Sequence, residues 1–272
     1  MRATSLELRH SVKRLGFVPT MGALHQGHLS LVRAAREATD VVAASIFVNP
    51  TQFGPNEDLA KYPRCFERDC ELLETEGVDL LFAPSVEEMY PSRAVTWVTV
   101  EELSNKLDGR SRPGHFRGVT TVVSKLFHIA EPDIAFFGQK DAAQAAIIRR
   151  MVRDLNLPIE IVVCPIVREP DGLAMSSRNA YLHPEQRKSA LVLHRSLTRV
   201  QELIDRGEVS ADVLAAQGRN EFAAEPSVRL DYFEIVNPDT LDPIEDISNG
   251  ALIAVAAYVG STRLIDNFLR TR

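Results

Sequence analysis

The stretch VVAASIFV, residues 41–48, is apolar but for one serine and rich in β-branched side chains. A strand with one wet face alternates polar and apolar residues, whereas an unbroken run of this kind belongs to a strand covered on both faces. Covering both faces takes helices on either side of a sheet, and the neighbouring sequence supplies them. LGFVP (15–19) reads as a short strand, and HLSLVRAAREATD (28–40) as a helix with Leu29, Val32 and Ala35 on one face. A helix over about 64–76, with Phe66, Leu72 and Leu73, and a strand VDLLFA (78–83) come next. They are followed by a helix GVTTVVSKLFHIAEP (118–132) stopped by Pro132, a strand DIAFFG (133–138), a helix DAAQAAIIRRMVRDLN (141–156) N-capped by Asp141, and a strand IEIVVCPIV (159–167). Such alternation is the grammar of βαβ units. Residues 1–167 are predicted to form an α/β domain, a Rossmann-like doubly wound parallel sheet that binds a nucleotide.

After residue 168 the pattern changes. A loop leads to a long helix from Pro184 to about Arg206, a second helix near 210–223, and then RLDYFEIVN, ALIAVAAYV and TRLIDN as consecutive strands. Helices followed by neighbouring strands predict a smaller α+β C-terminal domain over 168–272, and 272 residues suffice for two cores.

Composition excludes several classes. With 31 Lys and Arg against 37 Asp and Glu, a formal charge of −6, the chain has no basic footprint for a nucleic acid backbone. Cys65, Cys70 and Cys164 cannot all pair, and the spacing of the first two matches no zinc knuckle, so reduced structural thiols are predicted. MRATSLELRHSVKRLGF lacks an apolar signal core, and nowhere does an apolar run reach the roughly 18 residues of a membrane span. The predicted address is the cytoplasm, with no membrane partner.

The chemistry concentrates where predicted strands end. PTMGALHQGH (19–28) sets His25 and His28 around Gly27 at the start of a helix, where free N–H groups and a partial positive charge receive phosphates. A helix cap or a metal pair would use the same residues, but no third ligand stands at suitable spacing. EPDGLAMSSRN (169–179) places Ser176, Ser177 and Arg178 as a second phosphate clamp, although a Ser-rich turn would read the same way. FFGQKDAAQ (136–144) adds Lys140 and Gln144, and FVNPTQFGPNED (47–58) offers Asn49 and Gln52, amides suited to the hydroxyls and carboxylate of a small substrate. GRSRPGHFRG (109–118) gathers Arg110, Arg112, His115 and Arg117 into a loop that either closes over phosphates or stays solvated. In an open α/β sheet, segments at strand carboxyl ends converge on one edge.

Five of these motifs, FVPTMGALHQGH, IFVNPTQFGPNEDLAKYPR, GHFRGVTTVV, FFGQKD and REPDGLAMSSRN, together resemble the pantoate–beta-alanine ligase family within the HxGH nucleotidyltransferases, over about Leu15 to Asn267. The resemblance implies an ATP-dependent enzyme of the coenzyme A pathway that uses Mg²⁺. In it the carboxylate of pantoate attacks the α-phosphorus of ATP, and the amine of beta-alanine then attacks the pantoyl adenylate, releasing AMP and pyrophosphate. It implies ATP contacts for Met21, Gly22, Ala23, Leu24, His25, Gln26, Gly27 and His28, with His28 as proton donor and His25 assisting. Gly138, Gln139, Lys140, Asp141, Val167, Met175, Ser176, Ser177 and Arg178 would continue the nucleotide site, and Gln52 and Gln144 would bind pantoate, Gln52 also lying near beta-alanine. Metal ligands stay unassigned. A homodimer and a mobile C-terminal lid are also implied. Gln26 and Gln139 stand where the family often has Glu, and neither change removes a group with an assigned role. The competing reading is an HxGH cytidylyl- or adenylyltransferase acting on another small substrate. A phosphorylated substrate would call for cations where Asn49 and Gln52 stand.

Overall fold

A computed structural model describes residues 1, 4, 7, 13–55, 57–92 and 94–271. The N-terminal stretch read above for a signal core lies mostly outside them. Strands β1 (Leu15–Thr20), β2 (Val41–Ile46), β3 (Leu80–Phe82), β4 (Ile134–Gly138) and β5 (Glu160–Cys164) form one sheet in the order β3-β2-β1-β4-β5, every pair parallel. Helices α1 (Gln26–Ala38), α2 (Phe66–Thr75), α3 (His115–Ala130) and α4 (Ala142–Asp154) wind around it.

The predicted two-sided burial is realised residue by residue. Phe17, Ala43 and Phe137 face one apolar cluster with α3 and α4, while Val18, Val42, Ala44 and Phe136 face another with α1. The winding reverses between β1 and β4, so the connections leaving their carboxyl ends diverge and open a crevice there.

The ends of several elements differ from the sequence reading. α3 begins at His115, because Gly114 takes a left-handed φ of 83° that turns the chain into the helix; Glu131, at φ 45°, ends it just before Pro132. Asp141 stands at the start of α4 but makes no side-chain cap, its carboxylate being drawn to Lys140. The long helix from Pro184 is two pieces, α5 (Pro184–Ser189) and α6 (Leu191–Asp205), that meet at the buried Ala190, and α7 spans Ala211–Ala223.

Strands β6 (Val228–Val236), β7 (Ala251–Val259) and β8 (Thr262–Arg270) make an antiparallel sheet in that order. β7 is buried almost throughout. Ile253, Val255 and Ala257 pack with α6 and α7, whereas Leu252, Ala254 and Ala256 join Tyr232, Val236 and Leu241 in the same cluster as Phe116, Phe127 and Phe137. The parallel and antiparallel sheets thus share one apolar interior. Ion pairs reinforce the seam: Arg263 bridges Asp108 and Asp231 at 2.7 and 2.8 Å, and Lys106 reaches Asp242 at 2.7 Å.

Candidate active site

The crevice at the β1/β4 reversal is lined by residues from every motif singled out in the sequence. Met21, His25, Gly27, His28, Asn49, Gln52, Gly138, Lys140, Asp141, Gln144, Val167 and Met175 to Arg178 all face it.

β1 hands over to α1 through a short, tightly held loop. Thr20 Oγ1 donates to Ser45 O at 2.7 Å and accepts from Gly22 N–H at 3.2 Å. Gly22 and Ala23 both take left-handed φ values, 81° and 51°. His25 is the N-cap of α1: its Nδ1 accepts from Gly27 N–H at 3.1 Å, and its own N–H donates to His28 Nδ1 at 3.3 Å. The cap and phosphate readings of these histidines are thus compatible. Because each Nδ1 is an acceptor, the proton of each neutral ring sits on Nε2, leaving two Nε2–H donors. Burial and the Lys140 charge lower the His25 pKa to about 4, and burial, His25 and Lys140 lower that of His28 to about 3. Both rings are neutral at neutral pH.

The reason for Gly27 is local. A Cβ there would lie 2.9 Å from the His25 ring, so Gly27 makes room for the cap. Gly22, Ala23, Leu24 and Gln26, though expected to touch ATP, do not line the crevice. Asp69 accepts from the N–H groups of Ala23 and Leu24, and the exposed Gln26 side chain accepts from Arg33. Gln139 is also absent from the lining: its amide pairs with Asn267, which donates to Gln139 O and Lys140 O at 3.0 and 2.9 Å and so ties the β4–α4 turn to β8.

Lys140 Nζ lies 3.1 Å from the Asp141 carboxylate. Burial works against the ionised form of Asp141, and the lysine charge prevails, holding its carboxyl below the usual range. Ser176 caps the 3₁₀ turn Ser177–Tyr181 by accepting from Arg178 N–H, and Ser177 Oγ donates to Ala23 O at 3.1 Å. Arg178 pairs with Asp58 and lies over Tyr62, its guanidinium carbon 5.8 Å from the ring centroid. These bonds fasten the loop to the β1–α1 turn and to the segment that follows β2.

The amide loop is built from below. Asn49 is 1% exposed, and its side chain is fully engaged: Nδ2 donates to Gln52 Oε1 and Gly118 O, and Oδ1 accepts from Tyr90 and Thr51. Asn49, expected to bind substrate, thereby holds Gln52 in place. Arg112 donates to His115 Nε2 at 2.9 Å, which leaves His115 Nδ1–H to donate to Gln52 O at 2.8 Å. Burial and Arg112 lower the His115 pKa to about 4. Glu57 takes the remaining fork of Arg112, so this part of the basic loop supports Gln52; Arg110 instead pairs with Glu234, and Arg117 stacks on Trp97. Phe47, Val119, Val122, Val123, Leu126 and Phe137 give the same crevice an apolar wall, which a single sequence signals only as core periodicity. Among the described residues, no group of three or more His, Cys, Asp or Glu side chains is arranged to hold a metal, and no helix is long and apolar enough to cross a membrane.

A family model described as pantoate-beta-alanine ligase matches residues 1–269. The chain is 64% identical over 269 residues to the pantothenate synthetase of Koribacter versatilis, covering 99% of this chain and 92% of the relative. It is 58% identical over 267 residues to that of Thermotoga petrophila, covering 98% and 95%. Among solved structures, pantothenate synthetase from Thermus thermophilus superposes with a TM-score of 0.92 at 51% identity, over 97% of this chain and 96% of that one. Pantoate-beta-alanine ligase from Francisella tularensis, complexed with beta-gamma ATP and beta-alanine, does so with a TM-score of 0.74 at 36% identity, over 98% and 95%.

Proposed function

The chain belongs to the pantoate-beta-alanine ligase family, and from that premise we propose how its crevice carries out the ligation. It is an ATP-dependent ligase that condenses pantoate with beta-alanine. The observation that carries the assignment of roles is convergence: the His25/His28 helix start, Lys140 and the Ser176–Arg178 loop meet at one crevice beside two glutamine amides.

ATP lies with its phosphates against the start of α1, where the Nε2–H groups of His25 and His28 donate to phosphate oxygens and Lys140 supplies positive charge. Gln52 and Gln144 bind the hydroxyls and carboxylate of pantoate, and the apolar wall from Phe47 to Phe137 takes its two methyl groups. A pantoate carboxylate oxygen attacks the α-phosphorus; the bond to the β-phosphate oxygen breaks and pyrophosphate leaves. The amine of beta-alanine then attacks the acyl carbon, expelling AMP and losing a proton. Because the imidazoles are neutral before reaction, they act as hydrogen-bond donors to charge that grows on the phosphates, the kind of preorganised donor that dominates such catalysis. In this reading the part expected of His28 as proton donor is that of a hydrogen-bond donor through Nε2–H.

Mg²⁺ suits a site of this sort when it rides on phosphates and water with one or two carboxylates, since it seldom has an all-protein cage. Asp141, a carboxylate that lines the crevice, would hold it, and Mg²⁺ there would neutralise phosphate charge. The cover that protects the adenylate from water is the 168–180 segment; the interior shared by the two sheets opposes a swing of the whole C-terminal unit. The family resemblance supports a homodimer, which sedimentation velocity tests, and the reduced thiols are in keeping with a cytoplasmic site of action.

Mixing the protein with ATP, Mg²⁺, pantoate and beta-alanine, and omitting each in turn, tests the assignment. Pyrophosphate should require ATP and pantoate, and AMP with the amide should require all substrates. Nucleotide transfer to a phosphorylated substrate, with no amide formed, would instead identify a cytidylyl- or adenylyltransferase.

A further inference from the structure

Asp69 lies on α2, outside every motif discussed, and is 1% exposed. Its Oδ2 accepts from Ala23 N–H at 2.7 Å and its Oδ1 from Leu24 N–H at 2.8 Å, across 46 and 45 residues of sequence. The neighbouring Arg68 donates to Leu24 O at 3.3 Å. A buried carboxylate is costly unless hydrogen-bonded, and a non-glycine residue in the left-handed region is held there only by its surroundings. Here each requirement answers the other: Ala23, at φ 51°, turns its N–H toward the acid, and Gly22 passes so close that a Cβ would lie 3.0 Å from Asp69 Oδ2. The next residue in the chain is His25, whose N–H and ring fix His28 and the first turn of α1.

We infer that Asp69 is a positioning residue for the ligation, a carboxylate template that shapes the Gly22–Leu24 loop and through it orients His25 and His28 toward the phosphates. It touches no substrate. The inference rests on the roles given above to the two histidines, and it extends the working site to a helix that does not line the crevice.

The test replaces Asp69 with asparagine, which keeps shape and burial but turns one amide N–H₂ toward a backbone donor. The first readout is independent of activity: ¹⁵N signals of the two imidazoles in the free protein. Wild type should show both rings fixed as the Nε2–H tautomer, and Asp69→Asn should show mixed tautomers at temperatures where the variant remains folded. The second is pyrophosphate release from ATP and pantoate. Asp69→Asn should lower kcat by roughly 10- to 100-fold, as expected for catalytic groups displaced by about 1 Å, with the pantoate KM within about twofold of wild type. The double variant with His28→Ala should be no slower than His28→Ala alone by more than about twofold, because the two changes remove one function. If Asp69→Asn does not fold, Gly22→Ala, which crowds the same carboxylate from the loop side, goes through the same measurements with the same expectation. Unchanged ring tautomers, or losses that multiply in the double variant, would overturn the positioning role. A wild type that makes no pyrophosphate would sink the assigned reaction and with it the catalytic part of the inference, while the ring signals would still judge the loop geometry.

Discussion

Arg178 grips Asp58 through two parallel hydrogen bonds, Nε to Oδ2 at 2.8 Å and Nη2 to Oδ1 at 2.9 Å, so the arginine offered by the sequence as a phosphate clamp already holds an anion. Burial works against ionisation of Asp58 and the guanidinium overcomes it, keeping that carboxyl below its usual range. In the proposed reading, a triphosphate competes with Asp58 for the same fork. Asp58→Ala is expected to lower the KM for ATP by roughly 5-fold, on the order of 1 kcal/mol for a pair at this exposure. It should also make the 168–180 segment more sensitive to limited proteolysis without ATP, with protection restored by ATP and pantoate. Equal cleavage of variant and wild type in the absence of ATP would count against the latch.

In the proposed reading, Lys140 and His28 supply charge and a hydrogen bond to the same phosphates. Removing one preorganised donor from such a site typically costs about 10² to 10³ in rate. Lys140→Ala and His28→Ala should each slow pyrophosphate release by that factor while thermal melting stays near wild type. Near-normal adenylate formation in either variant would remove it from the mechanism.

The neutral imidazoles set the acid side of the stability curve. His25 and His115 have pKa values lowered from 6.5 to about 4, and His28 to about 3. Between those values and 6.5 the unfolded chain binds more protons than the folded one, so stability is full above about pH 6.5 and falls as pH drops toward 4 and then 3. Melting followed from pH 7.5 to 4 should show this decline, and His28→Gln should flatten it. The pH profile of kcat/KM for pyrophosphate release should show no limb near pH 6.5 that His28→Gln abolishes, since in the free protein the ring does not titrate there.

Gly118 on α3 sits under the amide loop, where an added Cβ would meet Thr51 O at 2.3 Å and Gln52 Cα at 2.7 Å. Gly118→Ala should destabilise the protein by about 1–3 kcal/mol, the usual range for overpacking, and raise the KM for pantoate more than that for ATP. Thermal melting and separate substrate titrations measure both effects. An equal rise in the two KM values would mean that the loop does not serve pantoate in particular.

The parallel sheet was legible because a strand covered on both faces writes its burial directly into consecutive residues, as Val42, Ala43 and Ala44 do. The crevice was legible because the histidines, Lys140 and the Ser176–Arg178 loop sit just past strand ends, where a single chain's order already brings them together. Asp69 was not, for it reads as one more acid on an amphipathic helix, and its partners lie more than forty residues away. Asn267 is hidden for the same reason, 128 residues from Gln139. The hold of Asn49 on Gln52 was hidden because a free amide and a fully bonded one are the same letter. The need for glycine at position 27 was not legible, since it rests on the 2.9 Å approach of the His25 ring to where a Cβ would stand.

The cluster that holds Leu15, Phe17 and Phe137 also holds Leu252, Ala254 and Ala256, and this has a consequence for biosynthesis. A nascent chain emerges from its amino end, so the sheet that carries the phosphate-binding loops reaches solvent well before β7 exists to cover the cluster. Until then Phe116, Leu103, Leu107 and their neighbours present an apolar face to water and to any chaperone near the ribosome. Truncation between Arg178 and β7 therefore yields a product that has every histidine, lysine and glutamine of the site and is nonetheless a client for degradation.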